Sequence, residues 1–253
     1  MTKRRTEAKV IKVDFGRERA AKTSAPASRG DVNKGVWRVS GLRVPFAREG
    51  APFILLSILV TAFVFMFQGL WWLKAPFIGS AIFVAAFFRD PEREIPEDPE
   101  SIVSPADGRV IKVEKVRDGR FLKADALKIS IFMNVFNVHV NRAPADSRVL
   151  KVVYNKGTFF NASLDKASLD NEQNAVIAEG PGDRRFVFNQ IAGLIARRIV
   201  CRVKPGETLS KGQRFGLIRF GSRVDVYLPA DCVSAVGAGE KVRAGSSIIG
   251  YWR

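Results

Sequence analysis

The chain has 253 residues, enough for one compact domain with extensions or two small domains, and a hydrophobic share of 47% that excludes global disorder. Its formal charge is +16, half of it carried by residues 1–50 with 13 basic and 5 acidic groups, so an anionic partner is expected, either nucleic acid or a membrane surface. Cys201 and Cys232 are too few for a disulfide framework and read as reduced thiols, and with His139 the only histidine a multi-histidine metal site is excluded.

Residues 1–49 read as a basic tail, and 1–35, rich in Ala, Ser, Gly and Thr without a sustained apolar period, are expected to be flexible. From Gly50 to Leu73 there are 24 residues without a charge, and after Lys74 the uncharged run resumes to Phe88. Two segments of this length predict an α-helical membrane hairpin over 50–88, turning near Gln68 and Gly69. Trp71, Trp72 and Lys74 beside the turn suit a membrane–water interface. The runs are apolar on all faces, which argues against a helix of a soluble core. Lys74 and Pro76 interrupt the second segment, so a shallow re-entrant hairpin is also open. The basic tail before the hairpin and the cluster RDPER (89–93) after it place both ends on the cytoplasmic side of the cell membrane, with the rest of the chain.

Residues 89–253 read as a single β-rich domain. Short runs of Val, Ile and Phe in period two recur between Gly, Asp and Pro turns: 108–116, 126–133, 148–155, 184–191, 197–203, 223–229 and 246–252. Many short strands predict a mainly β fold, a barrel or a sandwich. The one good helix candidate there is 163–176.

Three groups draw attention: Asp107 in SPADG, His139 in FNVHVNRAP and Ser222 in RFGSRVD. A carboxylate, an imidazole and a hydroxyl can form a proton relay, in which the carboxylate fixes the imidazole tautomer. Each also has an ordinary reading: Asp107 and Ser222 as turn residues, His139 as a satisfied structural residue. Spacing alone makes the triad a weak signal.

The sequence resembles the phosphatidylserine decarboxylase family, in particular its short bacterial and archaeal-type members. The residues that carry the resemblance are FFRDPER (87–93), SPADGRV (104–110), FMNVFNVHVNRAP (132–144), FFNASLDKASLDNEQN (159–174) and GLIRFGSRVDVYLP (216–229), in the family's order. The resemblance covers residues 50–253 and implies an inactive proenzyme that cuts itself between Gly221 and Ser222, driven by Asp107, His139 and Ser222. It further implies that residue 222 becomes an N-terminal pyruvoyl cofactor, with no metal and no pyridoxal phosphate. The chains 1–221 and 222–253 would stay together as a heterodimer, with a higher oligomer left open. The pyruvoyl ketone would condense with the serine amine of the lipid and take up the electrons released with carbon dioxide, giving phosphatidylethanolamine in phospholipid biosynthesis. Expected partners are the membrane phospholipid substrate and an anionic membrane surface. Asn161 and Lys166, with Asp165, Asn171 and Glu172 nearby, are candidates to line the head-group pocket, and Arg142 and Arg219 to meet its phosphate.

Long-form members carry a second histidine three residues before that of the triad. Phe136 stands there, and FGSR replaces the LGST of long forms, so His139 is expected to serve both cleavage and decarboxylation. An archaeal-type serine lipid is the alternative substrate. From other classes, a membrane-tethered β-domain acting as carrier or adaptor lacks its hairpin lysine, since Lys166 falls in helix-like sequence. A serine hydrolase lacks the G-x-S-x-G turn. A nucleic-acid binder lacks an RNA-binding motif and is not expected.

Overall fold

Period-two alternation does fold as strands in the computed structural model, which describes residues 37–39, 42–67, 71–158, 162, 170–194, 198–219 and 221–253. Two short strands, β1 (Arg38–Val39) and β2 (Leu42–Arg43), precede the apolar helices α1 (Ala51–Phe65) and α2 (Trp71–Phe87). The strands then run β3 (Ser101–Val103), β4 (Gly108–Asp118), β5 (Ala124–Met133), β6 (Val140–Arg142), β7 (Ser147–Asn155) and β8 (Gln173–Glu179). They continue with β9 (Arg185–Ala192), β10 (Ile199–Cys201), β11 (Thr208–Leu209) and β12 (Arg214–Ile218). The last are β13 (Ser222–Pro229), β14 (Val233–Ser234), β15 (Lys241–Val242) and β16 (Ile248–Tyr251).

Eight strands form a curled antiparallel sheet in the order β11-β7-β8-β9-β13-β5-β4-β15. Two three-stranded sheets, β10-β12-β6 and β14-β16-β3, complete the domain. Strand β13 lies between β5 and β9 and is buried on both faces. Its residues Val224, Val226 and Leu228 join Ile129, Ile131, Phe188 and Phe215 in the main core. Tyr227 packs on the other face with Val187 and Ala175. Each such large apolar side chain contributes about 1.5–3 kcal/mol on burial. The same outer face carries the fully buried Arg223, whose Nε donates to Asp225 Oδ1 at 2.5 Å and whose Nη2 donates to Ser130 Oγ at 2.8 Å.

Helices α1 and α2 touch where Thr61 Oγ1 donates to the Phe77 carbonyl at 3.3 Å; residues 68–70, where the turn is expected, lie outside the described residues. Arg48–Phe65 is long and apolar enough to cross a membrane, whereas Lys74–Phe87 is shorter. Side chains of α1 such as Leu56 and Phe63 are 60% and 61% exposed, as expected if the medium around them is apolar. At their lower ends the helices meet the domain in a separate cluster of Ala47, Phe87, Phe88, Val138, Val140 and Leu217.

Three expectations shift. Residues 43–49, expected in the free tail, are held to the domain: Arg43 pairs with Glu92, Ala47 N donates to the Phe88 carbonyl at 2.7 Å, and Glu49 pairs with Arg202. The rest of the expected tail, 1–36, lies outside the described residues. The helix expected over 163–176 is overturned at its end, because Gln173 to Val176 lie in β8; 163–169 lie outside the described residues. The RDPER cluster, read from sequence as a membrane flank, is built into the domain. Asp90 is buried and accepts from Arg214 Nε at 2.6 Å and Arg142 Nη2 at 3.3 Å.

Candidate active site

Ser222 opens β13, opposite Met133 of β5 on one side and Ala192 of β9 on the other. It is fully buried, and its Oγ has no hydrogen-bond partner. A buried hydroxyl without a partner costs about 1–3 kcal/mol, so its persistence at this point asks for a reason. Gly221 precedes it with φ +55°, a left-handed conformation that a side chain would strain. A Cβ added at Gly193 would fall 2.1 Å from the Gly221 carbonyl oxygen, so only glycine lets that backbone pass so close.

His139 sits at the entrance to β6, and its carbonyl accepts from Ile218 N, the end of β12, at 3.4 Å. The segment 133–139 therefore leads from the residue opposite Ser222 to the strand that ends just before Gly221. The imidazole is stacked on Phe87 of α2, ring centroids 4.1 Å apart, and is 1% exposed. Its Nδ1 lies 2.9 Å from the Asn137 carbonyl, which can only accept, so Nδ1 carries the proton and Nε2 the lone pair. Nε2 is buried and has no partner. Burial, with a smaller push from Arg89, lowers the His139 pKa to about 4 against the opposing pull of the Asn137 carbonyl. The ring is neutral at pH 7 and presents an unoccupied acceptor.

Asp107 does not hold that ring. Its Oδ2 accepts from Arg93 Nη2 at 2.8 Å and its Oδ1 from Ala244 N at 2.7 Å, and no hydrogen bond joins it to His139. The tautomer-fixing role expected of the carboxylate belongs here to the Asn137 carbonyl. Arg93, Asn137, Phe87 and Gly193 were not singled out as site residues from the sequence. A glycine two residues after the strand run 184–191 is the only signal of the close backbone approach at Gly193.

Of the substrate candidates, Asn161 and Lys166 lie outside the described residues, as does Asp165. Arg142 is 2% exposed, and its guanidinium is engaged by Asp90, the Pro91 carbonyl and the Gly212 carbonyl. Burial and Arg214 lower its pKa to about 10. Arg219 lies over the Phe53 ring of α1, 4.9 Å from its centroid, and burial with the charge of Arg198 lowers its pKa too. Asn171 is buried and donates to the Ala192 carbonyl at 2.7 Å, supporting the strand residue beside Ser222. Glu172 accepts at its backbone carbonyl from Ala192 N at 2.9 Å.

The family model described as phosphatidylserine decarboxylase matches residues 80–250, which include all three candidate groups. The chain belongs to the phosphatidylserine decarboxylase family. A phosphatidylserine decarboxylase proenzyme of Neisseria meningitidis serogroup C is 53% identical over 203 residues, covering 80% of this chain and 76% of the relative. One of Neisseria gonorrhoeae is also 53% identical over 203 residues. That of Cupriavidus pinatubonensis is 52% identical over 204 residues, 80% of this chain and 93% of the relative. Membership makes this chain a member of a carboxy-lyase family, and the word proenzyme in those names accords with a chain cut after synthesis.

Proposed function

We propose that this family member decarboxylates phosphatidylserine to phosphatidylethanolamine and carbon dioxide, using a pyruvoyl group made from its own Ser222. The observation that carries the reading is the fully buried, unpartnered Ser222 Oγ directly behind a left-handed glycine. Ser222 Oγ attacks the Gly221 carbonyl carbon, its proton passes to His139 Nε2 and from there to the residue 222 nitrogen, and the amide C–N bond breaks as the ester forms, leaving a free amine on residue 222. Loss of the residue 222 α-proton then expels the Gly221 carboxylate from Cβ, and water replaces nitrogen as ammonia, leaving a ketone at residue 222. A neutral buried imidazole with a vacant acceptor fits this traffic better than a charged one would. When present, the pyruvoyl ketone supplies an electron sink for the pair left as the serine carboxylate departs as carbon dioxide.

Strand β13 begins at the cut and stays paired with β5 and β9, which supports two chains, 1–221 and 222–253, remaining together. The apolar span Arg48–Phe65 and the exposed apolar faces of α1 and α2 support attachment to the cell membrane. The charge of residues 1–50 supports a cytoplasmic domain against anionic lipid.

The intact mass of the purified protein tests the reading. Two chains are expected, the short one lighter than Ser222–Arg253 by the change from amino-alcohol to ketone and blocked to Edman sequencing. Borohydride in the presence of phosphatidylserine should attach the lipid to the short chain alone. Ser222→Ala should give one uncut, inactive chain. An active 253-residue chain, or a short chain with an ordinary N-terminal serine, would overturn the mechanism.

A further inference from the structure

Beside the candidate site a cavity of about 620 Å³ opens, with Asp107, Arg109, Phe136, Asn137, Lys241 and Arg243 in its wall. Its position relates it to all three groups. Asp107 lines it directly, Asn137 is the residue whose carbonyl orients His139, and the wall residues Phe132 and Asn134 flank Met133, the residue opposite Ser222.

The charges in this wall are out of balance. Lys241 of β15 stands directly opposite Arg109 of β4 in the antiparallel register. Like charges at such a position repel and destabilise the pair. Arg243 follows two residues after Lys241, and among the described residues none of the three cations makes an ion pair. Asp107, the one acid in the wall, is already held by Arg93. Three exposed cations around one cavity, without a protein counter-ion, are a receptor for an anion from outside.

The rim indicates which anion. Phe136 is 71% exposed and meets Phe83 of α2 edge-on, ring centroids 6.3 Å apart. Arg89, two residues beyond the same helix, donates to the Phe136 carbonyl at 2.7 Å. The cavity mouth is thus continuous with the apolar helices, whose exposed faces suit acyl chains. We infer that Arg109, Lys241 and Arg243 bind the phosphodiester of the phospholipid substrate, while its acyl chains remain against α1 and α2. This rests on the decarboxylase reading above and assigns the phosphate to residues other than Arg142, whose guanidinium is engaged inside the fold.

The test uses the full-length, self-cleaved protein with phosphatidylserine in mixed micelles. Removing one cation, as in Arg109→Gln or Lys241→Gln, is expected to raise KM about fivefold, and Lys241→Gln with Arg243→Gln more than tenfold, with kcat little changed. Self-cleavage should stay complete, and Lys241→Gln should raise the lipid-free thermal midpoint, since repulsion with Arg109 is relieved. Lys151→Gln, an exposed cation of β7 outside the cavity, controls for bulk charge and should leave KM unchanged. Unchanged KM in the cavity variants, a rise matched by Lys151→Gln, or a rise accompanied by a fallen midpoint would each overturn the inference. Strong competition by inorganic phosphate would overturn the lipid as the source. Loss of decarboxylation in the parent chain itself would instead sink the reading on which the inference rests.

Discussion

At Gly193 the Gly221–Ser222 peptide is held by the absence of a side chain. Because a Cβ there would overlap the Gly221 carbonyl oxygen at 2.1 Å, Gly193→Ala must push that carbonyl away from its present orientation. We expect at least tenfold slower self-cleavage, followed by gel separation of cut and uncut chains; cleavage at the parent rate would show that the carbonyl has room to move. His139 makes a different prediction. Its folded pKa of about 4 lies below the ordinary 6.5, so between these values the unfolded chain binds more protons than the folded one. The contribution of the neutral ring is therefore complete above pH 6.5 and is lost as pH falls toward 4, in all about 3 kcal/mol. In the uncut Ser222→Ala background, the thermal midpoint should fall across that window, and His139→Gln should flatten the fall. An equal fall with glutamine present would place the titrating group elsewhere. Ser222, His139 and Asp107 stand out in the sequence because the resemblance places each in a short family motif. Their partners were not, since the Arg93 contact with Asp107 and the Asn137 carbonyl under His139 depend on where loops close.

Among the elements, β13 decides whether the proposed two chains would stay together. The proposed cut before Ser222 would free one end of the strand but leave its ladders to β5 and β9, the Arg223 contacts with Asp225 and Ser130, and the packing of Val224, Val226 and Leu228. The short chain should accordingly remain bound through size-exclusion chromatography in mild detergent and separate only in denaturant. Release in mild detergent would mean that β13 is not held as described. The sequence reading found β4, β5, β7, β9 and β13 because both their alternation and their flanking turns are strong. It missed β8 and β12 for physical reasons. Gln173 to Val176 is polar and Ala-bearing in a way that local propensity favours as helix, yet pairing with β7 and β9 decides it. Gly216 weakens β12 locally, but close approach to β10 requires it, since a Cβ there would meet the Val200 carbonyl oxygen at 2.1 Å.

For the whole molecule, the question is how an apolar helix pair is joined to a β-rich domain. The joint is built rather than flexible. Ala47, Phe87 and Phe88 pack on Val138, Val140 and Leu217, and Phe87 reaches the His139 ring itself. Glu49 with Arg202 and Arg43 with Glu92 add ion pairs on the flanks. The exposed apolar surface of α1 and α2 is of the kind that a membrane covers, and Arg48–Phe65 is long and apolar enough to cross one. If the anchor is the helix pair, washing membranes with high salt or alkaline carbonate should leave the protein in the pellet, and detergent should release it. Salt alone would suffice if the basic charge of residues 1–50 were the only tether, because attraction between exposed charges is screened within about 10 Å at 0.1 M salt. The two tethers can also be separated within one experiment. Removing residues 1–36 should weaken recruitment to anionic vesicles at low salt yet leave carbonate resistance intact. A truncated chain that washes off in carbonate would assign attachment to the basic segment and remove the helices from the membrane.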